Sequence, residues 1–266
     1  MHIFKTIHNK APATTHSSIW LASARSANCP KPFKRMAIAC GLIPLLLAHL
    51  AQAGILQADA TTFQSITQQD DVIILDVRTP KEIASGKISG ASELDIYAKD
   101  FKRKLSFLQK DKTILVYCRS GGRSGKASLI LESLGYEDIV NLAGGITAWK
   151  KKSFPIAIPE GRAKATPEKS LDINVFKDQL SKNDIVLLDF HTQWCSPCRR
   201  MAPVIDQLES ENNKNLKVTR IDLDANNALA NSYNVKAVPT FILIKKGQEV
   251  WRASGIVTQK TFESQL

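Results

Sequence analysis

Thr113-Ile114-Leu115-Val116-Tyr117-Cys118-Arg119-Ser120-Gly121-Gly122-Arg123-Ser124 decides how the first half of this chain is read. Its first five residues form an apolar run of the kind buried on both faces of a parallel sheet. Cys118 follows without a break, and a helical pattern opens just after Ser124, over residues 125–134. A strand passing through so short a loop into a helix gathers backbone N–H groups around one point at a helix N-terminus. Such a nest favours an anion. A cysteine sulfur held there is stabilised as the thiolate, with a lowered pKa and a stronger nucleophile at neutral pH. Gly121 and Gly122 can take positive φ and let the backbone curl around the sulfur. Arg119 and Arg123 add cationic donors for an anionic substrate. Residues Arg119, Ser120, Gly121, Gly122, Arg123 and Ser124 are therefore candidate substrate-binding residues beside a candidate catalytic Cys118. The plainer reading, a structural cysteine at a strand end, does not account for the arginines and glycines packed against it.

Working outward, residues 72–77 and 139–142 are further short apolar runs, with amphipathic stretches at 99–108 and 125–134 and a short helix at 144–151. This alternation predicts an α/β domain around a parallel sheet. The pattern stops over 150–169, where Pro155, Pro159, Gly161 and Pro167 fall among lysines. That stretch reads as an interdomain linker. A second series then begins: strand 185–190, helix 197–211, strand 217–223 and helix 227–233. A hairpin of 241–245 and 249–253 turns at Lys246-Gly247-Gln248. No internal repeat relates the two halves.

The second series carries Trp194-Cys195-Ser196-Pro197-Cys198 between its first strand and its longest helix. A C-x-x-C motif at a helix N-terminus lowers the pKa of its first sulfur, and its second sulfur can resolve a mixed disulfide. Cys195 is thus expected to be the accessible nucleophile and Cys198 the buried resolver. A zinc site would need two more ligands, and only Cys118 and His191 stand outside the motif after residue 53, so no metal is expected. A purely structural disulfide would close too short a loop to stabilise much.

Charge and the N-terminus bound the remaining possibilities. The 266-residue chain is long enough for two domains and is 44% hydrophobic and 23% charged. Six of its Lys and Arg, and no Asp or Glu, fall in residues 1–53, so a net charge of +11 becomes +5 over the rest. A nucleic-acid partner is not expected from so small an excess without a basic helix. Lys31, Lys34 and Arg35 precede an apolar run over 36–50 and then Ala51-Gln52-Ala53. This is the order of a cleaved export signal, and the run is short of the ~20 apolar residues of a spanning helix. The expectation is an exported, periplasmic protein cleaved near Ala53, with an uncleaved anchor as the other reading. The preamble of residues 1–32 is long for a signal, and a start codon placed too early is an open alternative. Cys29 and Cys40 would leave with the presequence. Three cysteines remain, an odd and small set that suggests chemistry rather than structural bridges.

Four segments in order make residues 56–155 resemble a single-domain rhodanese. They are the Cys118 loop, Leu75-Asp76-Val77-Arg78-Thr79-Pro80-Lys81-Glu82, Gly86-Lys87-Ile88-Ser89-Gly90-Ala91, and Leu142-Ala143-Gly144-Gly145-Ile146-Thr147-Ala148-Trp149. Lys87 stands where that family usually has His. The resemblance implies that Cys118 attacks a sulfane-sulfur donor such as thiosulfate, releases sulfite and holds the sulfur as a persulfide. Family relatives with five residues between Cys and Arg are phosphatases; here four separate Cys118 from Arg123, which suits the smaller sulfur atom.

Residues from about 170 to 266 resemble thioredoxin. Besides the C-x-x-C motif with its Trp194 and Pro197, the likeness rests on Asp189 in Leu188-Asp189-Phe190, on Pro203, on Val238-Pro239-Thr240 and on Gly255. It implies that Asp189 assists proton transfer to Cys198, that Pro239 is a cis proline facing the sulfurs, and that Gly255 lines the substrate groove. Ser196, His191 and Arg220 depart from the commonest family residues. The domains expected are thus a targeting segment at 1–53, a rhodanese-like domain at 54–155, a linker at 156–169 and a thioredoxin-like mixed-sheet domain at 170–266.

The function expected is sulfur transfer at Cys118 with the Cys195/Cys198 dithiol as internal reductant and no cofactor. The alternative is a general thiol–disulfide oxidoreductase with the first domain as a docking or sensing module. Expected partners are a sulfane-sulfur donor, thiol acceptors or disulfide-bearing proteins, and a membrane thiol reductase as electron source.

Overall fold

A computed structural model describes residues 54–159, 170–211 and 216–266. The expected targeting segment, residues 1–53, and most of the expected linker lie outside the described residues.

The first domain alternates strands and helices. In order they are β1 (Gly54–Ala58), α1 (Ala60–Ile66), β2 (Val72–Asp76), α2 (Pro80–Ile83), β3 (Ser92–Glu93), α3 (Phe101–Leu105), β4 (Thr113–Tyr117), α4 (Gly122–Ser133), β5 (Asp138–Leu142) and α5 (Gly145–Lys151). The five strands pair in parallel in the order β1-β5-β4-β2-β3. Both faces of the sheet are covered. Ile73, Leu75, Ile114 and Val116 pack on one side, and Ile74, Leu115, Tyr117 and Phe63 on the other. Burial on both faces is why these strands read as unbroken apolar runs rather than alternating ones.

Two expectations about this domain need correction. The helix read over 99–108 is only α3; Ser106 to Gln109 form a turn, with Phe107 and Leu108 bonded back to Lys104 and Leu105. The non-periodic stretch read from residue 150 starts too early. Lys150 and Lys151 end α5, the Trp149 indole N–H donates to Pro155 O at 2.9 Å, and Ala157 bridges antiparallel to Lys87. Proline-rich composition hid these contacts because they are made by main chain and one indole rather than by a periodic face.

The second domain runs α6 (Ile173–Lys182), β6 (Ile185–His191), α7 (Ser196–Glu211), β7 (Lys217–Asp222), α8 (Asn227–Ser232), β8 (Thr240–Lys245), β9 (Gln248–Ser254) and α9 (Gln259–Glu263). Its sheet is mixed, in the order β7-β6-β8-β9: β7 lies parallel to β6, while β8 and β9 add antiparallel. Central β6 is buried along nearly its whole length, so its C-terminal end sets the Cys195 motif firmly above the sheet.

The two domains touch. One apolar cluster continues from Leu75, Val77, Leu94 and Cys118 of the first to Trp194, Cys195, Cys198 and Val238 of the second.

Candidate functional site

Cys118 leaves the C-terminal end of β4 into the loop that opens α4. The Gly121 amide donates to its sulfur at 3.1 Å, and the Ser124 hydroxyl lies 3.4 Å from it. Gly121 takes φ 99°, the turn that brings its N–H inward. Burial pushes the Cys118 thiol up. The Ser124 hydroxyl and the backbone N–H groups of Ser124, Ser120 and Gly121 outweigh that penalty and leave it below its ordinary 9.0. The loop is supported from behind. Cys118 O accepts from the Ile146 amide at 2.8 Å, and Arg119 O accepts from the Thr147 amide and hydroxyl. Gly145 makes that approach possible: at φ +57°, a Cβ there would stand 2.4 Å from Cys118 O and 2.6 Å from the Arg119 carbonyl carbon.

The two arginines are placed differently. Arg119 is exposed, as are Ser120 and Gly122, at the rim of the loop. Arg123 makes a two-pronged pair with Glu82, at 2.8 and 2.5 Å, and its guanidinium lies over the Tyr97 ring. That pair holds Glu82 at a pKa of about 2. Glu82 in turn caps α2 by accepting from the Thr79 amide and hydroxyl. An arginine committed to a carboxylate in this way braces the loop.

In the second domain the Cys195 and Cys198 sulfurs lie 2.17 Å apart, at disulfide distance. The Cys198 amide, in the first turn of α7, donates to Cys195 Sγ at 3.1 Å. Pro197 is buried in that same turn. The Trp194 indole N–H donates to Asp224 at 3.1 Å. Val238-Pro239 is a cis peptide bond. Asp189 is buried on β6, with Arg220 Nε 3.8 Å from its carboxylate, while the Arg220 head binds Asp206 at 2.5 Å.

The expectation that Cys195 is the exposed sulfur is not met in this arrangement. Cys195 is 2% exposed and Cys198 7%, because the first domain covers the motif. Glu93 N–H, on the outer edge of β3, donates to Trp194 O at 3.2 Å, and Ser196 N–H donates to Ser92 Oγ at 2.9 Å. Val238 N–H, just before the cis proline, donates to Phe107 O at 3.0 Å. Gln109 packs on Gly255 so closely that a Cβ there would meet its side chain at 2.5 Å. Ser92, Phe107 and Gln109 are thus site residues that motif reading missed. A partner across a domain contact leaves no local spacing to read. Glu82 had a signal, the Thr79-Pro80-Lys81-Glu82 capping pattern, but not one that links it to Arg123.

The rhodanese-like domain family matches residues 59–152 and the thioredoxin family residues 168–266. A sulfurtransferase of Allochromatium vinosum is 41% identical over 98 residues, which span 37% of this chain and 90% of that protein. A thioredoxin of Porphyra purpurea is 38% identical over 92 residues, 34% of this chain and 86% of its own. Among solved structures, a rhodanese-related protein from Thermoplasma volcanium shares 29% identity and covers 39% of this chain and 98% of its own, with a TM-score of 0.36. The chain therefore belongs to two families in succession, the rhodanese-like sulfurtransferases through residues 59–152 and the thioredoxins through residues 168–266.

Proposed function

We propose that this sulfurtransferase and thiol-redox protein loads sulfane sulfur on Cys118 and reduces it with its own Cys195/Cys198 dithiol. The observation that carries the reading is the ring of donors on the Cys118 sulfur, from Gly121 and Ser124, which favours an anionic sulfur at that spot. The Cys118 thiolate attacks the outer sulfur of thiosulfate; the S–S bond breaks, sulfite leaves with its electron pair, and Cys118 holds a persulfide. The same donors can then hold the persulfide's outer charge. Arg119 at the rim attracts the incoming dianion.

The reduction conserves atoms and electrons without a further reagent. The Cys195 thiolate attacks the outer sulfur of the Cys118 persulfide, returning Cys118 as a thiolate and becoming a persulfide itself. The Cys198 thiolate then attacks the Cys195 sulfur and expels hydrosulfide, leaving a Cys195–Cys198 disulfide. Restoring that disulfide to the dithiol calls for an outside thiol reductase. Export across a membrane is also part of the proposal. It rests on the basic, apolar and small-residue order of residues 31–53, and N-terminal sequencing of the protein from whole cells tests it.

Mass spectrometry of the full chain after thiosulfate treatment, with the Cys195–Cys198 pair oxidised so that it cannot discharge the persulfide, tests the loading step. One added sulfur on the peptide containing Cys118, absent in Cys118→Ser, is the expected result. An unmodified Cys118 with every sulfane donor tried refutes it.

A further inference from the structure

The contacts that bury Cys195 are not scattered over the second domain. They fall at the C-x-x-C motif, at the residue before the cis proline, and at Gly255, whose amide donates to Pro239 O at 2.9 Å. At the motif, the β3 edge pairs main chain to main chain through Glu93 N–H and Trp194 O, and Ser92 Oγ takes the Ser196 amide. At the cis-proline loop, the Val238 amide takes Phe107 O. At the third place, the Gln109 side chain covers Gly255. A thiol–disulfide exchange partner must bring its own sulfur to Cys195, whose two chain neighbours, Trp194 and Ser196, are bonded here to the first domain and whose apolar cluster includes Val238.

The geometry also separates the two sulfur sites. Tyr117 pairs with Asp76, Asp76 pairs with Glu93, and Glu93 bonds Trp194. Cys118 and Cys195 each stand one residue past the ends of this row. Strands lie ~4.8 Å apart, so three steps place the two ends about 14 Å from each other. Attack needs reacting atoms about 3 to 3.5 Å apart. The arrangement that buries the dithiol is therefore not the one in which it meets a Cys118 persulfide.

We infer that the first domain is an internal ligand of the dithiol groove, and that this closed form withholds Cys195 from outside thiols and disulfides until the two domains part. The latch is partly ionic. Arg103 and Lys104 of α3 bind Asp224 at 3.0 and 3.2 Å, and Asp224 also receives the Trp194 indole N–H. Breaking those pairs loosens the domain contact beside Cys195 and leaves the Trp194–Asp224 bond, which lies within the second domain, in place. The side chains of these pairs are 19% to 34% exposed, so each pair is weak and sensitive to salt. That suits a latch meant to open. The inference concerns access to the dithiol and does not depend on sulfur loading at Cys118.

The test is the rate at which Cys195 of the reduced, full-length protein is alkylated by iodoacetamide, followed on its peptide by mass spectrometry. Two variants of the first domain open the contact by different means. Arg103→Glu with Lys104→Glu repels Asp224 from a solvent-facing helix, and Gln109→Arg forces a longer side chain against Gly255. A closed form favoured ten to one slows the reaction about tenfold, so both variants should alkylate Cys195 about tenfold faster than the native chain. Raised ionic strength should speed the native chain alone. One added sulfur from thiosulfate at Cys118 of each variant, read with the Cys195–Cys198 pair oxidised so that it cannot discharge the persulfide, shows that the first domain remains folded and keeps the two proposals apart. Equal alkylation rates in the native chain and the charge-reversed variant, at low and high salt, overturn the closed form even where Cys118 still loads sulfur.

Discussion

The Glu93 amide donates to the Trp194 carbonyl at 3.2 Å, joining the free edge of the first domain's sheet to the residue before Cys195. Lys87 stiffens that edge: its ammonium, nearly buried, binds Glu93 at 2.6 Å and Ala91 O at 2.8 Å. The lysine that replaces the family's usual histidine thus anchors the very strand that meets the second domain. Cys118 and Cys195 therefore follow the two ends of the row Tyr117, Asp76, Glu93 and Trp194, and each sulfur accepts from a backbone amide. The following expectations come from that arrangement.

Ser124→Ala should raise the Cys118 pKa, since the hydroxyl is one of the hydrogen bonds that hold this thiol below its ordinary range. The sign is fixed by the hydroxyl stabilising the thiolate, so its loss lowers the thiolate fraction at any given pH. The pH at which thiosulfate loading is half-maximal should move upward, with the plateau at high pH nearly unchanged. A profile that stays in place would show that the amides alone set the acidity of this sulfur.

Glu82→Gln should remove a component of acid stability. Its hydrogen bonds from Arg123 hold the Glu82 carboxyl down from 4.5 to about 2. A group depressed in the folded state stabilises the protein above its unfolded pKa, and that contribution fades as pH falls from 4.5 to about 2. Thermal unfolding followed across this window should show the native chain losing stability relative to the variant. Because the pair is partly exposed, the difference should be small and should shrink in salt. Parallel curves would contradict the assignment.

Much of this was legible in the residues alone. The apolar runs at 113–117 and 185–190 located both central strands, and the Cys118 and Cys195 loops announced themselves by glycine, arginine and C-x-x-C spacing. Two-residue β3 could not be read, because Ser92-Glu93 has no apolar pattern. Nor could β1, whose five residues join the sheet through main-chain pairing with β5 while Leu56 and Gln57 face outward. Helix α6 shows an amphipathic face but escaped notice beside the linker. The domain contact was the largest omission. Its hydrogen bonds from Glu93 to Trp194 and from Val238 to Phe107 are main chain to main chain, and such pairing between distant segments writes nothing into side-chain spacing.

Gly145→Ala should abolish sulfur loading while leaving the second domain's disulfide intact. A methyl group there collides with main-chain atoms of Cys118 and Arg119, which cannot yield without moving the loop. The positive φ adds backbone strain for any non-glycine residue. Thiosulfate loading and thiol titration on the same sample separate the two effects. Normal loading in this variant would mean that the loop tolerates displacement.

Cys198→Ser should trap mixed disulfides on Cys195 slowly in the native background and faster when combined with Arg103→Glu and Lys104→Glu. The resolving thiol is absent in both, so only access to Cys195 differs. Gel mobility under non-reducing conditions reads the trapped species. Cys195→Ser should trap none, and trapping at Cys198 in its place would reverse the assignment of nucleophile and resolver.

The central claim is that sulfur passes from Cys118 to the dithiol of the same chain, and single-turnover sulfide release tests it most directly. Fully reduced, full-length protein is given one equivalent of thiosulfate, and sulfide is followed at several protein concentrations. The account predicts release at a first-order rate that does not change with concentration, together with loss of the Cys195 and Cys198 thiols. It also predicts no release from Cys118→Ser. A rate that rises in proportion to protein concentration, or a Cys118 persulfide that persists beside an unoxidised dithiol, would contradict it.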